Sequence, residues 1–124
     1  MGNRLVLIAL AGALGAVLRY AVASGVQRWL GDPFPWGTLT VNLIGCFLFG
    51  MVWAAGESRL SPDARLVILV GFMGAFTTFS SFAFDSHRLL AEHHWGLVLV
   101  NVLVQNIVGV AAVSLGIVLG RSVA

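Results

Sequence analysis

Four apolar runs, each long enough to cross a membrane, take up most of this 124-residue chain. They lie at about 5–24, 37–55, 66–90 and 95–119, and short polar links separate them. A spanning helix needs about 20 mostly apolar residues. Only 10% of the residues are charged, against about 25% in an average soluble domain. The sequence therefore predicts one all-α domain over residues 1–124, a multi-pass membrane protein with four transmembrane helices in the lipid bilayer.

The basic residues are nearly balanced between the two sides of the predicted bundle. With four spans, both termini lie on the same side of the membrane. The arginines on that side are Arg4, Arg59, Arg65 and Arg121, and those on the other side are Arg28 and Arg88. This is a weak bias toward cytoplasmic termini, and it permits insertion in either orientation. The arginines are scattered rather than clustered, so no nucleic-acid partner is expected.

Several classes of function lack the residues that they require. No acid lies within a predicted span before Asp85, at the exit of the third. A small dual-topology proton-coupled multidrug exporter, the main alternative to a channel, would need a buried carboxylate in its first span. A non-conducting assembly subunit is a third possibility. No metal-ligand spacing, phosphate-binding glycine loop or nucleophile–base pair is present, so the chain is not expected to be an enzyme.

The third run combines phenylalanines and hydroxyl groups inside an apolar segment. Phe76, Phe79 and Phe82 recur at every third residue, and the hydroxyl residues Thr77, Ser80 and Ser81 lie on a neighbouring helix face. The edge of a phenylalanine ring is electropositive, so ring edges and hydroxyl donors can face an anion together. The alternative is an aromatic stripe that only packs.

The same run also predicts a break in its helix. Gly71 and Gly74 each lower helix propensity by about 1 kcal/mol relative to alanine, and Thr77 and Thr78 follow them. A broken membrane helix frees carbonyl groups that can coordinate a cation, and it creates half-helix ends with partial charges.

Polar residues in the other runs allow two interpretations each. Arg19 could extend its guanidinium to the membrane interface, or it could attract anions in a water-filled vestibule. The amide of Asn42 could bond a neighbouring helix, or it could donate to a desolvated anion. Asn101 and Gln105 are four residues apart and share a face. Asn106 lies about 100° from Gln105 around the helix, so at least one of the three must face a different neighbour.

Three stretches together resemble the bacterial fluoride channels of the Fluc/CrcB family, over essentially the whole chain. They are Gly15-Ala-Val-Leu-Arg19-Tyr20, Pro35-Trp-Gly-Thr-Leu-Thr-Val-Asn42-Leu43 and Gly71-Phe-Met-Gly-Ala-Phe-Thr-Thr-Phe-Ser-Ser-Phe82. The resemblance implies an antiparallel, dual-topology homodimer in the bacterial inner membrane, with a broken third helix. It also implies a fluoride-selective channel that exports F⁻ passively from the cytoplasm and lowers fluoride toxicity.

The resemblance further implies a role for individual residues. The implied fluoride pore consists of Asn42, Phe79, Phe82, Ser80, Ser81 and Gln105, with Arg19 at a vestibule. The carbonyl groups of Gly74 and Thr77 would hold a structural Na⁺ on the two-fold axis. The chain departs from the family pattern at Ala75 and Phe76, and its fourth run has amides in place of a hydroxyl-rich track.

Overall fold

The computed structural model describes residues 2–124 as four long helices joined by short links. All four are long and apolar enough to cross a membrane, by length and composition. They are α1 (Gly2–Leu30), α2 (Trp36–Arg59), α3 (Pro62–Ala91) and α4 (Trp95–Ser122). Successive long helices joined by short links run in opposite directions, so the chain is an all-helical bundle.

The helices run past the apolar runs because polar side chains stabilise their ends. The side chain of Gln27 donates to the carbonyl oxygens of Gly31 and Phe34 and accepts from the backbone N–H of Gly37. These bonds fold the first link onto the end of α1, which continues to Leu30. The hydroxyl of Ser61 accepts from the N–H of Ala64 at 3.2 Å and caps α3, in the way that serine commonly caps helices.

Close packing of α2 against α4 depends on two glycines that leave room for the opposite backbone. A Cβ atom on Gly50 would collide with the carbonyl oxygen of Val113, and one on Gly116 would collide with that of Phe47. Small residues allow such close approach of membrane helices. This contact fixes the distance between α2 and the polar residues of α4.

Helix α3 is bent, because its hydrogen-bonding pattern changes twice. Val67–Met73 forms a π-helical segment, and helical geometry ends at Phe76. Thr77 and Thr78 are extended, with φ/ψ of −89°/159° and −151°/113°, and the helix resumes at Phe79. The predicted interruption of the third helix is confirmed. Gly74 keeps helical angles of −61° and −32°, so the backbone departs from the helix at the two threonines rather than at the glycines.

Most apolar side chains face outward. Helix α1 buries only Gly15 among the residues that the structure describes. Contiguous exposed apolar surface of this kind faces lipid or another protein chain. The fold is therefore that of a multi-pass membrane protein.

Candidate functional site

The side chain of Asn42, on α2, bonds both backbone groups of Thr78 at the interruption of α3. Its Oδ1 accepts from the N–H of Thr78 at 2.8 Å, and its Nδ2 donates to the carbonyl oxygen of Thr78 at 3.0 Å. Thr78 is buried, and buried peptide groups require partners. Asn42 thus replaces bonds that a continuous helix would have made.

The second half of α3, Phe79–Ala91, begins with a side-chain cap. The hydroxyl of Thr78 accepts from the N–H of Ser81 at 3.1 Å and donates to the hydroxyl of Ser81 at 3.0 Å. The hydroxyl of Ser80 lies 3.2 Å from the same oxygen. Thr78 is therefore satisfied by Asn42 through its backbone and by two serines through its side chain.

A chain of amide hydrogen bonds continues from Asn42 into α4 and back to α3. Asn42 Nδ2 donates to Gln105 Oε1 at 2.7 Å, and Gln105 Nε2 donates to Asn101 Oδ1 at 3.0 Å. Asn101 Nδ2 donates to Ser86 Oγ at 3.0 Å, and Ser86 Oγ donates to the carbonyl oxygen of Phe82 at 2.8 Å. This amide relay links the helix interruption at Thr78, and the second half of α3 at Phe82, to α4.

The direction of every bond in the amide relay is set by its two ends. The N–H of Thr78 can only donate, so the atom of Asn42 facing it must be the oxygen. The carbonyl of Phe82 can only accept, so the hydroxyl of Ser86 must donate to it. Asn101 is fully buried and bonded on both sides. Asn106 stays outside the relay and donates to the carbonyl of Val102 in its own helix at 2.7 Å.

A cleft of about 280 Å³ brings together four of the predicted pore residues. They are Asn42, Phe79, Phe82 and Gln105. The rings of Phe79 and Phe82 are tilted by 55°, with centroids 5.5 Å apart. Phe82 is 9% exposed, whereas Phe79 is 78% exposed. One wall of the cleft is thus packed within the chain, and the other is open at the surface.

Arg19 and Ser81 line a separate cavity of about 220 Å³. Thr78 lines both this cavity and the cleft, so the interruption of α3 separates them. Arg19 is half-buried and α1 continues to Leu30, so Arg19 does not lie near the end of its helix. Ser80 is exposed and reaches the site only through Thr78.

The interruption leaves two carbonyl oxygens of α3 without their usual donors. The N–H of Thr78, which would bond Gly74 in a continuous helix, bonds Asn42 instead. The N–H of Ser81, which would bond Thr77, bonds the hydroxyl of Thr78. Within residues 2–124, neither carbonyl oxygen accepts a hydrogen bond. Gly74 is exposed, so its backbone is accessible to an ion or a second chain. Over the same residues, no group of three His, Cys, Asp or Glu side chains could hold a metal.

The sequence did not indicate two contacts that border the site. Thr38 Oγ1 donates to Asp85 Oδ2 at 2.6 Å, and Asn101 meets Ser86. Asp85 shares a cavity of about 450 Å³ with Arg28 and Arg88 at the end of the bundle where α3 and α4 are linked. The only local signal was the position of Asp85 and Ser86 directly beyond the Phe79–Phe82 stretch. A single sequence does not show which residues of α2 and α4 they meet.

The helices and the cleft define a multi-pass membrane protein whose third span is interrupted beside an amide-lined surface opening. Residues 6–117 match the CrcB-like protein family, described as Camphor Resistance (CrcB), and the chain belongs to this family. Similar proteins include the fluoride-specific ion channel FluC of Solidesulfovibrio magneticus, 52% identical over 98% of each chain. The proteins of that name from Desulforapulum autotrophicum and Nitrosococcus oceani are 49% and 47% identical over 98% of each chain.

Proposed function

We propose that this chain forms a fluoride-selective ion channel that exports F⁻ passively from the cytoplasm and so lowers fluoride toxicity. Relatives that share about half of its residues over nearly the full length are named fluoride-specific ion channels. They are channels, not enzymes. The observation that carries the proposal is the cleft in which amides and phenylalanine rings meet beside the interruption of α3. A negative-inside potential drives anions outward with about 2.3 kcal/mol per charge per 100 mV.

The cleft offers the type of donors that fluoride requires. Fluoride is small and tightly hydrated, so a selective pore must replace its water with donors at close range. The electropositive edges of Phe79 and Phe82, with the side-chain amide N–H groups that the cleft leaves free, would supply them. Arg19 would attract the anion at the vestibule, where Ser81 is also exposed to the cavity. The exporter alternative receives no support, because α1 contains no carboxylate.

The working channel is proposed to be an antiparallel, dual-topology homodimer in the bacterial inner membrane. Phe79 is 78% exposed at the edge of the cleft, so one chain leaves the pathway open along one side. A second copy would close it. The near balance of arginines between the two ends is compatible with copies inserted in opposite orientations.

The same dimer would place a structural Na⁺ at the helix interruption. The carbonyl oxygens of Gly74 and Thr77 accept no hydrogen bond within the described chain, and carbonyl groups are hard ligands that suit such a cation. Two copies would provide four of these oxygens. The cation would offset the repulsion between them and hold the two interruptions together.

Fluoride efflux from proteoliposomes, followed with a fluoride electrode, tests the function. The wild-type protein should release fluoride and retain chloride. Phe79→Ile and Phe82→Ile should reduce fluoride flux while assembly is unchanged. Phe84→Ile is the matched control, because Phe84 is also exposed on the second half of α3 but lies outside the cleft. Equal flux in all three variants would refute the pore assignment.

Two further measurements test the assembly and the cation. Subunit counting by single-molecule photobleaching should give two copies for each conducting unit. Replacing Na⁺ by a large organic cation during purification should reduce flux, and Na⁺ should restore it. One copy for each unit, or full flux after exhaustive Na⁺ removal, would contradict the respective proposal.

A further inference from the structure

Asn42 has no N–H left for an anion in this structure. Its Nδ2 carries two hydrogens, and it donates to the carbonyl oxygen of Thr78 at 3.0 Å and to Gln105 Oε1 at 2.7 Å. Rotating the amide by 180° would point its NH₂ group at the N–H of Thr78, so two donors would face each other. The orientation is therefore fixed, and both N–H groups of Asn42 are used within the protein.

Gln105 retains an N–H in the same cleft. Its Nε2 also carries two hydrogens. One is donated to Asn101 Oδ1 at 3.0 Å, and the other has no partner among residues 2–124. Gln105 lines the cleft together with Phe79 and Phe82. Asn106 also lines the cleft and donates one hydrogen to the carbonyl of Val102, but among residues 2–124 its amide oxygen has no partner. Gln105 is therefore the cleft amide that is bonded at both its oxygen and its nitrogen and still has an N–H to donate.

The amide of Gln105 is held at both ends. Asn42 bonds its oxygen and Asn101 bonds its nitrogen. Asn101 is itself fully buried and donates to Ser86. A group held in its binding orientation loses little conformational entropy when it binds a ligand, so the free N–H of Gln105 is a preorganised donor.

We propose that Gln105, rather than Asn42, presents the amide N–H to fluoride in the cleft. Asn42 and Asn101 are positioning residues that hold this amide. The inference rests on the proposed fluoride conduction and assigns a donor within it. In the opposite arrangement, Asn42 is the donor and Gln105 is a competitor that fluoride must displace. Removing the Gln105 amide would then raise fluoride flux, whereas our proposal predicts that flux falls.

Two substitutions of Gln105 distinguish these arrangements by fluoride efflux from proteoliposomes. Gln105→Met keeps the length of the side chain and removes its donor. Hydrogen bonds to charged groups are the stronger class, so fluoride flux should fall by about tenfold or more. Gln105→Ser keeps a hydroxyl donor that is not held in place, and its flux should lie between those of the methionine variant and the wild type. A competitor role for Gln105 predicts flux above wild type in both variants.

A double-mutant cycle tests the positioning role of Asn101. Asn101→Ala should lower flux in the wild-type background and have no further effect in the Gln105→Met background, because Asn101 acts through Gln105. A residue that only stabilises the fold would lower flux by the same factor in both backgrounds. That outcome would refute the positioning role.

The reference measurements separate failure of this inference from failure of the proposed function. Absence of fluoride flux in the wild type would refute the proposed function, and the inference with it. Wild-type conduction together with Gln105 variants at or above wild-type flux would refute the inference alone. If Gln105→Met does not assemble, Gln105→Ser decides by the same criterion: flux below wild type supports the inference, and flux at or above it overturns the inference.

Discussion

Removing the side chain of Asn42 should destabilise the interruption of α3. Asn42→Ala deletes two bonds to the backbone of Thr78 and one to Gln105. Gln105 lines an open cleft, so water can replace its lost donor. The N–H of Thr78 has no such replacement, because this residue is only 8% exposed. Leaving one buried donor unsatisfied costs about 1–3 kcal/mol, so we expect the free energy of unfolding to fall by at least about this amount.

Asn106→Ala is the matched control for this substitution. It removes an exposed asparagine whose Nδ2 makes one bond, to the carbonyl of Val102 in the same helix. Unfolding in detergent, followed by circular dichroism during a denaturant titration, should show a much larger loss of stability for Asn42→Ala than for Asn106→Ala. The Asn42→Ala protein should also conduct fluoride more slowly. Equal stability losses in the two variants would refute the role of Asn42 in stabilising the interruption.

Two further predictions concern the walls of the cleft. Gly45→Ala would place a Cβ atom against the methyl group of Thr77 and should cost about 1–3 kcal/mol of stability through overpacking. Gly25→Ala, where nothing lies within 4 Å, should not destabilise, and similar losses at both sites would contradict the packing argument. Cys46, the single cysteine, lines the cleft. A methanethiosulfonate reagent should therefore slow fluoride flux in wild type but not in Cys46→Ser, and full flux after complete labelling would count against this pathway.

The open side of the cleft gives a reason for the unusual exposure of aromatic residues in α3. Phe79 is 78% exposed, whereas Phe82, one helical turn away, is 9% exposed. An aromatic stripe that only packed within the chain would bury both rings. The difference agrees with the proposal that a second copy completes the pathway, since the exposed ring would then line a wall shared by two chains.

Local sequence patterns predicted the interruption of α3 within the stretch that holds Gly71, Gly74, Thr77 and Thr78, but not which of these residues leave the helix. Glycines lower helix propensity, and Gly71 and Gly74 marked the correct part of the chain. The structure keeps Gly74 helical and extends Thr77 and Thr78 instead. Thr78 can be extended because Asn42 bonds its backbone and because its own hydroxyl caps the next helix. Helix propensity is a property of single residues, so it does not include these bonds from another helix and from the cap.

The sequence also left the roles of the polar residues open, and the reason is again physical. Helical periodicity showed that Asn101, Gln105 and Asn106 cannot all face one neighbour. Asn106 makes its bond within its own helix, although it lines the same cleft as Gln105. Periodicity places a residue on a face of its own helix, but it does not identify the helix opposite. Whether Asn42 bonds the protein or an anion depends on which groups lie across from it.

The sequence alone therefore determined the membrane class and the number of spans. A backbone in hydrocarbon must satisfy its own hydrogen bonds, so apolar runs of sufficient length become helices whatever their neighbours are. Tertiary structure alone decided the chemistry of the cleft. Asn42 bonds Thr78 and Gln105 across 36 and 63 residues of sequence. Those amides meet because glycines let α2 and α4 approach closely and because the interruption of α3 exposes backbone groups beside them.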